Sequence, residues 1–280
     1  MTATVDEAMR PRDFKSDVHP VWCPGCGDFG VLNALSKTFA AEGLKPEEIA
    51  LVSGIGCSSR LPAYMHSYGF HGVHGRALPL ATGLAIARPD LTVVAMGGDG
   101  DGFSIGGNHF LHACRRNVDF TYIVMDNAVY GMTKGQASPT TEADWAGSKL
   151  TPEGSHLQPI QPLEIALAAG CGFIAREFSG NPNGVAQRVA EAIAHPGFAF
   201  IQVIAPCITY RPEQMGHKKR VQTGFEATDR RREAYAQLLD AGPLTTGLLY
   251  RAEHARWHPD DAEPRSLAAQ ESAFVVGGDA

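Results

Sequence analysis

The sequence has few charged residues and no long apolar run. Charged residues make up 19% of the 280 residues, below the roughly 25% of an ordinary soluble domain, whereas hydrophobic residues make up 44%. This balance excludes a disordered chain, which needs little apolar content and high charge. No stretch approaches the ~18 apolar residues of a membrane span, and the polar start lacks the apolar core of a signal peptide. We therefore expect a cytoplasmic protein without membrane contact.

An excess of basic residues is also lacking. The 24 Lys and Arg stand against 30 Asp and Glu, which gives a net charge of −6. Nucleic acid is therefore not expected as the main partner, since binding to a phosphate backbone needs a basic face. Two nucleotide-binding motifs are missing as well. The GxGxxG fingerprint cannot be laid over the glycine-rich segment 97–107, and the phosphate loop GxxxxGK(S/T) occurs nowhere in the sequence.

The patterning predicts a doubly wound α/β fold with a mostly parallel sheet. Apolar runs that are continuous rather than alternating suit strands buried on both faces, and helix-like stretches lie between them. The predicted strands cover 48–56, 91–98, 120–127 and 198–206. The predicted helices cover 29–43, 78–88, 107–117, 162–170 and 184–197. We expect one domain over 15–225, followed by a C-terminal helix and an extended tail over 226–280.

Unusual loops follow the predicted strands. The sequences GIGC, GGDGDG, DNAVYG and APC come directly after the four strands in turn. Ligands of open parallel sheets bind at the carboxyl ends of the strands, where such loops emerge on one side. We therefore expect one face of the sheet to carry the functional site.

Asp99 and Asn127 close neighbouring apolar strands and supply hard oxygen ligands. Mg²⁺ prefers such ligands and is usually completed by substrate phosphates and water. The glycines after Asp99 allow backbone amides to approach phosphates, and a helix beginning near Ile105 directs its N-terminal dipole at them. The alternative is that the glycine-rich segment forms a tight turn without a ligand.

The spacing of these motifs resembles the thiamine diphosphate signature, in which GDG is followed about 28 residues later by Asn. Here it runs from GDG at 98–100 to NAV at 127–129. The resemblance implies that Mg²⁺ is held by Asp99, Asn127 and the carbonyl of Val129. It also implies cofactor contacts from Gly98, Gly100, Asp101, Gly131 and Met132.

Four of the six cysteines lie in predicted loops, namely Cys23, Cys26, Cys57 and Cys207. Cys114 and Cys171 are expected to be buried core residues. A thioredoxin-like redox pair needs a preceding strand, which the CxxC pair lacks. A structural zinc usually recruits two CxxC pairs, whereas a 4Fe–4S cluster accepts one pair plus two single cysteines. We favour the cluster and keep zinc as the alternative.

These motifs together resemble the beta subunits of 2-oxoacid:ferredoxin oxidoreductases. The segments WCPGCG (22–27), GIGCSS (54–59), HGRALPLATG (74–83) and YGMTKGQ (130–136) carry the resemblance, which spans about 15–210. It implies that Cys23, Cys26, Cys57 and Cys207 hold a 4Fe–4S cluster beside the thiamine ring. It further implies that the cofactor pocket is lined by Ile55, Gly56, Cys57, Ser58, His74 and Thr82.

The resemblance implies CoA-dependent oxidative decarboxylation of a 2-oxoacid, with electrons passed through the cluster to ferredoxin, or the reverse reaction. In thiamine enzymes, a second domain supplies the carboxylate that activates the cofactor, and a 280-residue chain has no room for that domain. The family places it on an alpha subunit, which implies an (αβ)₂ assembly. Arg60 and Lys134 are the candidate contacts for substrate carboxylates, and two cations favour 2-oxoglutarate over pyruvate. The alternatives are a pyruvate-type enzyme, a non-oxidative thiamine-dependent decarboxylase with structural zinc, and a cluster-binding electron-transfer or assembly subunit.

Two basic runs stand out in the acidic sequence, at 218–220 and 230–232. A solvated surface is the ordinary interpretation of such runs. A contact with ferredoxin or coenzyme A is the alternative, because redox encounters are steered by complementary charge.

Overall fold

Eight strands form one sheet in the computed structural model, which describes residues 9–257. Their spatial order is β2-β1-β3-β4-β6-β5-β8-β7, and all neighbours are parallel except β5 and β8. The strands are β1 (Ile49–Ser53), β2 (Tyr68–His71), β3 (Thr92–Gly98), β4 (Phe120–Asp126), β5 (Phe173–Phe178), β6 (Phe198–Ile204), β7 (Gln222–Thr223) and β8 (Thr245–Arg251). The predicted doubly wound, mostly parallel α/β fold is confirmed, and the four predicted strands are β1, β3, β4 and β6.

Helices cover both faces of the sheet. They are α1 (Asp28–Ala41), α2 (Ala77–Ala87), α3 (Gly107–Arg116), α4 (Pro162–Ala168), α5 (Pro182–Ile193), α6 (His217–Arg220) and α7 (Arg231–Asp240). One apolar cluster joins α1 and α5 to one face, and a second joins α2, α3, α4 and α7 to the other. Every residue of β1, β4, β5 and β6 is buried as a result, which explains the nearly continuous apolar sequences of β1, β4 and β6. The five predicted helices correspond to α1–α5.

The sheet is wider than the sequence predicts. β2 and β5 were not predicted. β2 is an exposed edge strand, and β5 carries the charged residues Arg176 and Glu177 although it is buried, so its sequence is not typical of a buried strand. The structure also differs from the expected helix and tail over 226–280. α7 supplies the helix, but β8 pairs antiparallel with β5, so this segment contributes to the same sheet. The rest of the expected tail, 258–280, lies outside the described residues.

The parallel strands bring the predicted loops to one end of the sheet. β1, β3, β4 and β6 end at Ser53, Gly98, Asp126 and Ile204, and each neighbouring pair within β1-β3-β4-β6 is in parallel register. Within residues 9–257, no helix is long and apolar enough to cross a bilayer.

Candidate functional site

A cavity of about 120 Å³ lies at the carboxyl ends of β1, β3 and β4. It is lined by Ile55, Gly56, Cys57, Ser58, His74, Gly98, Asp99, Gly100, Asp101, Asn127, Val129, Tyr130, Gly131, Met132 and Thr133. We call it the diphosphate pocket. It contains every residue that the sequence assigned to magnesium or to the thiamine cofactor, apart from Thr82.

Two buried carboxylates meet at the floor of the diphosphate pocket. The Thr140 hydroxyl lies 2.9 Å from Oδ2 of Asp99 and 2.8 Å from Oδ1 of Asp126. One hydroxyl has one proton, so it cannot donate to both carboxylates at once. Burial, and after it the charge of Asp126, raises the pKa of Asp99 to about 7. This excess of oxygen acceptors suits a bound cation.

A buried arginine supports this pair through a glutamine. The Gln202 side-chain amide donates to Oδ2 of Asp126 over 2.6 Å, and its carbonyl accepts from Nε of Arg176 over 2.8 Å. Burial lowers the pKa of Arg176 to about 10, and the charge of Asp126 opposes this shift. The chain of contacts therefore couples a buried cation to the two carboxylates and fixes the orientation of Asp126.

The segment after β4 turns sharply to present Asn127 and Val129. Ala128 adopts a φ of 53°, in the left-handed region that non-glycine residues seldom occupy. Its amide donates to Asp126 Oδ1 over 3.0 Å, and its carbonyl accepts from the Thr141 hydroxyl over 2.7 Å. The amide of Val129 donates to the Asn127 side chain over 3.1 Å. These bonds hold the strained turn in one shape.

Asp101 joins three loops of the diphosphate pocket. Its Oδ1 accepts from the amides of Ile55 and Gly75, over 2.9 and 2.8 Å, and lies 2.7 Å from Nδ1 of His74. Its other oxygen, Oδ2, is buried without a hydrogen-bond partner. Asp101 therefore fixes the relative positions of the GIGC and HGR loops.

A second cavity, of about 250 Å³, contains the four loop cysteines. Its walls include Trp22, Cys23, Cys26, Cys57, Arg60, Asn127, Gly131, Met132, Cys207 and Tyr210. We call it the thiol pocket. Cys23 is exposed, whereas the other three cysteines are partly buried.

Backbone contacts and aromatic packing hold the thiol pocket together. Gly25 adopts a φ of 83° within the CxxC turn, a conformation that favours glycine. The amide of Gly27 donates to the carbonyl of Pro206 over 3.0 Å, which joins the CxxC turn to the Cys207 loop. The Trp22 indole donates to the Cys57 carbonyl over 2.7 Å. Three separate chain segments thus meet around the cysteines.

A buried carboxyl group lies beneath the thiols. Asp28 is 1% exposed, and burial raises its pKa to about 7. Burial, and after it the charge of Asp28, raises the pKa of Cys57 to about 11 and raises the pKa of Cys26 further. Burial also raises the pKa of Cys207. The raised pKa values of Cys26, Cys57 and Cys207 favour the protonated thiols at neutral pH in the absence of a bound cation.

The cysteines of the thiol pocket do not form a single-ion site in the described part of the chain. Tetrahedral zinc with Zn–S bonds of about 2.3 Å needs sulfurs about 3.8 Å apart. Across residues 9–257, no three His, Cys, Asp or Glu side chains are arranged to hold one ion. All four cysteines line the same cavity, whose volume is about 250 Å³.

The two pockets share a wall. Cys57, Asn127, Gly131 and Met132 line both cavities. A Cβ added to Gly131 would lie 3.7 Å from Sγ of Cys207 and 3.8 Å from Sγ of Cys57. A group held by the thiols and a cofactor in the diphosphate pocket would therefore be separated by one layer of residues.

Besides Cys23, Cys26 and Cys207, three predicted site residues lie outside the diphosphate pocket. Thr82 lies within α2, where its hydroxyl donates to the Leu78 carbonyl over 2.7 Å, because helical geometry points this hydroxyl back at its own backbone. Arg60 lines the thiol pocket. Lys134 is exposed in a tight turn with a φ of 79° and lines neither cavity. The structure therefore brings one of the two predicted substrate cations to the site.

Comparison with known proteins agrees with this geometry. Residues 54–203 match the family "thiamine pyrophosphate enzyme, C-terminal TPP binding domain". The 2-oxoglutarate synthase subunit KorB of Methanocaldococcus jannaschii is 45% identical over 192 residues, which cover 68% of this chain and 70% of that protein. This chain belongs to the beta-subunit family of 2-oxoacid:ferredoxin oxidoreductases. Its central region is the thiamine diphosphate-binding domain of that family.

Another member of the beta-subunit family is longer than this chain. The 2-oxoglutarate oxidoreductase subunit KorB of Mycobacterium tuberculosis is 46% identical over 204 residues, 73% of this chain but 54% of that protein. The match therefore spans about half the length of that relative. A solved structure of the 2-oxoglutarate:ferredoxin oxidoreductase from Magnetococcus marinus, with 2-oxoglutarate, coenzyme A and succinyl-CoA bound, superimposes with a TM-score of 0.85 and 42% identity. It covers 89% of this chain and 87% of that one.

Several residues that support the site of this beta-subunit chain were not found from the sequence. Asp28 directly follows the CxxC turn, and Asp126 directly precedes Asn127, so a polar residue beside each motif was an available signal. Thr140 gave no such signal, because it lies 41 residues after Asp99 in an irregular loop.

Proposed function

We propose that this chain is the beta subunit of a 2-oxoglutarate:ferredoxin oxidoreductase. The reaction is the CoA-dependent oxidative decarboxylation of 2-oxoglutarate to succinyl-CoA, or its reverse, with electrons passed to ferredoxin. The observation that carries the proposal is the wall shared by the diphosphate and thiol pockets. A simple decarboxylase needs no electron acceptor, whereas an oxidative enzyme needs one close to its cofactor.

The residues of the diphosphate pocket fit Mg²⁺ and a diphosphate. Asp99, Asn127 and the Val129 carbonyl would hold the ion, and the acceptor-rich pair of Asp99 and Asp126 supports this assignment. Gly100 packs so closely on Tyr130 that an added Cβ would lie 2.2 Å from its ring, so the loop backbone is kept in place beside the phosphates. Asp101 keeps Ile55 and His74 facing the same cavity.

The residues of the thiol pocket fit a 4Fe–4S cluster held by Cys23, Cys26, Cys57 and Cys207. All four line one cavity of about 250 Å³, and one CxxC pair plus two single cysteines is a ligand pattern that a cluster accepts, whereas structural zinc usually recruits two pairs. When bound, thiamine diphosphate supplies the nucleophilic carbon that attacks the 2-oxoacid, and the cluster accepts electrons one at a time. Trp22 fixes the Cys57 carbonyl and so the position of that thiol.

The substrate assignment is supported by the relatives, since proteins named for 2-oxoglutarate are 45% and 46% identical to this chain. Arg60, in the wall of the thiol pocket, remains the candidate for a substrate carboxylate contact, and coenzyme A is the acyl acceptor. Lys134 needs a rearrangement of its turn to take part.

An alpha subunit completes the site in this proposal, within an (αβ)₂ assembly. The diphosphate pocket is shallow, and apolar side chains at its rim are exposed, with Ile55 at 37% and Met132 at 46%. Exposed apolar surface beside a half-formed site is typical of an interface. We also propose a cytoplasmic location, which the six unpaired cysteines support.

The test is anaerobic co-purification of this chain with its alpha partner. We expect iron, sulfide and thiamine in the complex, and reduction of ferredoxin that depends on both 2-oxoglutarate and coenzyme A. Zinc without iron, strong preference for pyruvate, or robust activity of the beta chain alone would contradict the corresponding part of the proposal.

A further inference from the structure

The two basic runs of the sequence lie at opposite ends of the sheet. Lys218, Lys219 and Arg220 form most of α6, and Arg230 and its neighbours begin α7. The whole chain carries a net charge of −6, so both runs are exceptions to its overall charge. Their positions relative to the cysteines distinguish them.

Strand register places α6 at the cysteine end. β7 follows α6 directly, and Gln222 at its start pairs with Thr245 at the start of β8. β8 runs antiparallel to β5, with Arg176 opposite Gly247 and Phe173 opposite Arg251. The starts of β7 and β8 therefore lie at the carboxyl end of β5, which is also where the cysteine loops emerge.

Consecutive turns connect α6 to Cys207. The amide of Arg211 donates to the Cys207 carbonyl over 2.8 Å, and the amide of Cys207 donates to the Gln214 side chain over 2.9 Å. The amide of Val221 closes α6 on the His217 carbonyl over 2.8 Å. We call the segment 207–221 the arch. It begins at the thiol-pocket residue Cys207, and the basic residues lie near its other end.

The second basic run, residues 230–232, lies at the end of the sheet opposite the cysteine loops. Arg231 donates to the carbonyl of Leu167, over 2.6 Å, at the end of α4. α4 precedes β5, and Thr228 pairs with Tyr250, which is opposite Ile174 near the start of β5. This run is therefore separated from the thiol pocket by the length of the sheet.

The charges of α6 are not neutralised locally. Lys218, Lys219 and Arg220 are exposed and form no ion pair among the described residues. The nearby carboxylates of Glu142 and Glu213 are held by the buried Arg211, over 2.8 and 2.6 Å. Met215, on the same arch, is 66% exposed. A cationic surface with an apolar side chain beside it is suited to protein contact.

We propose that the basic surface formed by Met215, Lys218, Lys219 and Arg220 docks an acidic, one-electron carrier protein. The inference rests on the proposed function, which requires such a protein to approach the thiol pocket. A cationic surface beside the electron exit steers an acidic carrier to it and raises the association rate. The phosphates of coenzyme A are the competing anionic ligand, and the test separates them.

The test uses the complete αβ complex and two matched double variants. One is Lys218→Gln with Lys219→Gln, and the control is Arg230→Gln with Arg232→Gln, which removes the same charge at the far end. Reduction of a purified acidic ferredoxin is compared with reduction of methyl viologen, which needs no protein docking. We expect kcat/KM for ferredoxin, divided by the viologen rate, to fall about tenfold at low salt in the α6 variant. The control should stay within about twofold, and Lys218→Arg with Lys219→Arg should retain the ratio.

Ionic strength gives a second readout. Added salt should lower kcat/KM for ferredoxin in the unmodified complex, because screening removes electrostatic steering, and it should lower this value less in the α6 variant. An unchanged ferredoxin ratio would overturn the inference. So would a raised KM for coenzyme A with unaltered ferredoxin kinetics, or loss of the alpha subunit on gel filtration. An unmodified complex that reduces neither acceptor would instead refute the proposed function.

Discussion

The diphosphate pocket and the thiol pocket share a wall but are held in different ways. In the diphosphate pocket, carboxylates, a hydroxyl and a side-chain amide are linked by hydrogen bonds from Asp99 to Arg176. In the thiol pocket, the backbone contacts of Gly27 and the packing of Trp22 hold the loops, and the hydrogen bonds that reach Cys207 come from the backbone of Thr209 and Tyr210.

This difference predicts two kinds of metal binding. The diphosphate pocket already contains carboxylate oxygens with too few hydrogen-bond donors, so a cation binds to a preformed site. The thiol pocket holds thiols whose pKa values are raised by burial, so a metal group must displace their protons. Assembly of the thiol-pocket group should therefore be the more pH-dependent event.

The largest expected effect comes from removing one thiol. Cys207→Ala should abolish stable iron and sulfide binding, because three thiolates leave one corner of the cluster without a ligand. Thiamine diphosphate binding should persist, since Cys207 does not line the diphosphate pocket. Iron, sulfide and thiamine analysis of the purified complex measures both. The control is Cys114→Ala, a buried cysteine in the core far from these loops, and iron loss in that variant as well would contradict the assignment.

Asp99→Asn should weaken cofactor binding in the diphosphate pocket and leave the cluster in the thiol pocket intact. Losing the anionic magnesium ligand should weaken thiamine diphosphate binding on the order of 100-fold, which equals about 2.7 kcal/mol. The visible absorption of the cluster should be retained. Calorimetric titration with thiamine diphosphate and Mg²⁺ tests this. The matched control is Asp90→Asn, at the opposite end of β3 and exposed, where unchanged binding is expected.

The sequence predicted those parts of the site that lie within a few residues of a strand end. Continuous apolar runs located β1, β3, β4 and β6, and the glycine-rich and cysteine-bearing loops then fell at one end. All four loop cysteines line one cavity, and all but one of the predicted diphosphate-pocket residues line the other. Proximity in the chain was sufficient here because parallel register brings strand ends together.

Contacts between distant segments could not be predicted in the same way. Thr140 reaches Asp99 from a loop with no periodic pattern, and Gln202 reaches Asp126 from the neighbouring strand β6, which is 76 residues away in the chain. Thr82 belongs to a motif that includes pocket residues, yet the helix turns its hydroxyl toward Leu78. β5 was missed because buried Arg176 and Glu177 read as surface charges until their partners Gln202 and Arg188 are known.

Thr140→Val tests whether the polar network arranges Asp99 before the cation binds. Without the shared hydroxyl, Asp99 and Asp126 lose a common partner, so we expect the Mg²⁺ concentration for half-maximal thiamine diphosphate binding to rise about tenfold. Thr140→Ser should restore it, because the hydroxyl returns. Cluster content should not change. Equal Mg²⁺ requirements in the Val and Ser variants would show that the hydroxyl has no positioning role.

Asp28→Asn should have the smallest effect on the bound groups, because its consequences fall on the stability of the metal-free chain and on the pH dependence of that stability. Burial raises the pKa of Asp28 from 3.8 to about 7, so the folded state holds a proton that the unfolded state releases. The free energy of unfolding should therefore fall as pH rises from about 4 to about 7, by at most about 4 kcal/mol from this group. Urea unfolding at several pH values measures the slope, and Asn should flatten it because its amide does not titrate. Glu177→Gln is the comparison for a buried carboxyl away from the thiols, because burial also raises the pKa of Glu177 while the paired Arg188 opposes that shift. An unchanged slope in Asp28→Asn would mean that this carboxyl is ionised beside the thiols, and the raised thiol pKa values would then need another cause.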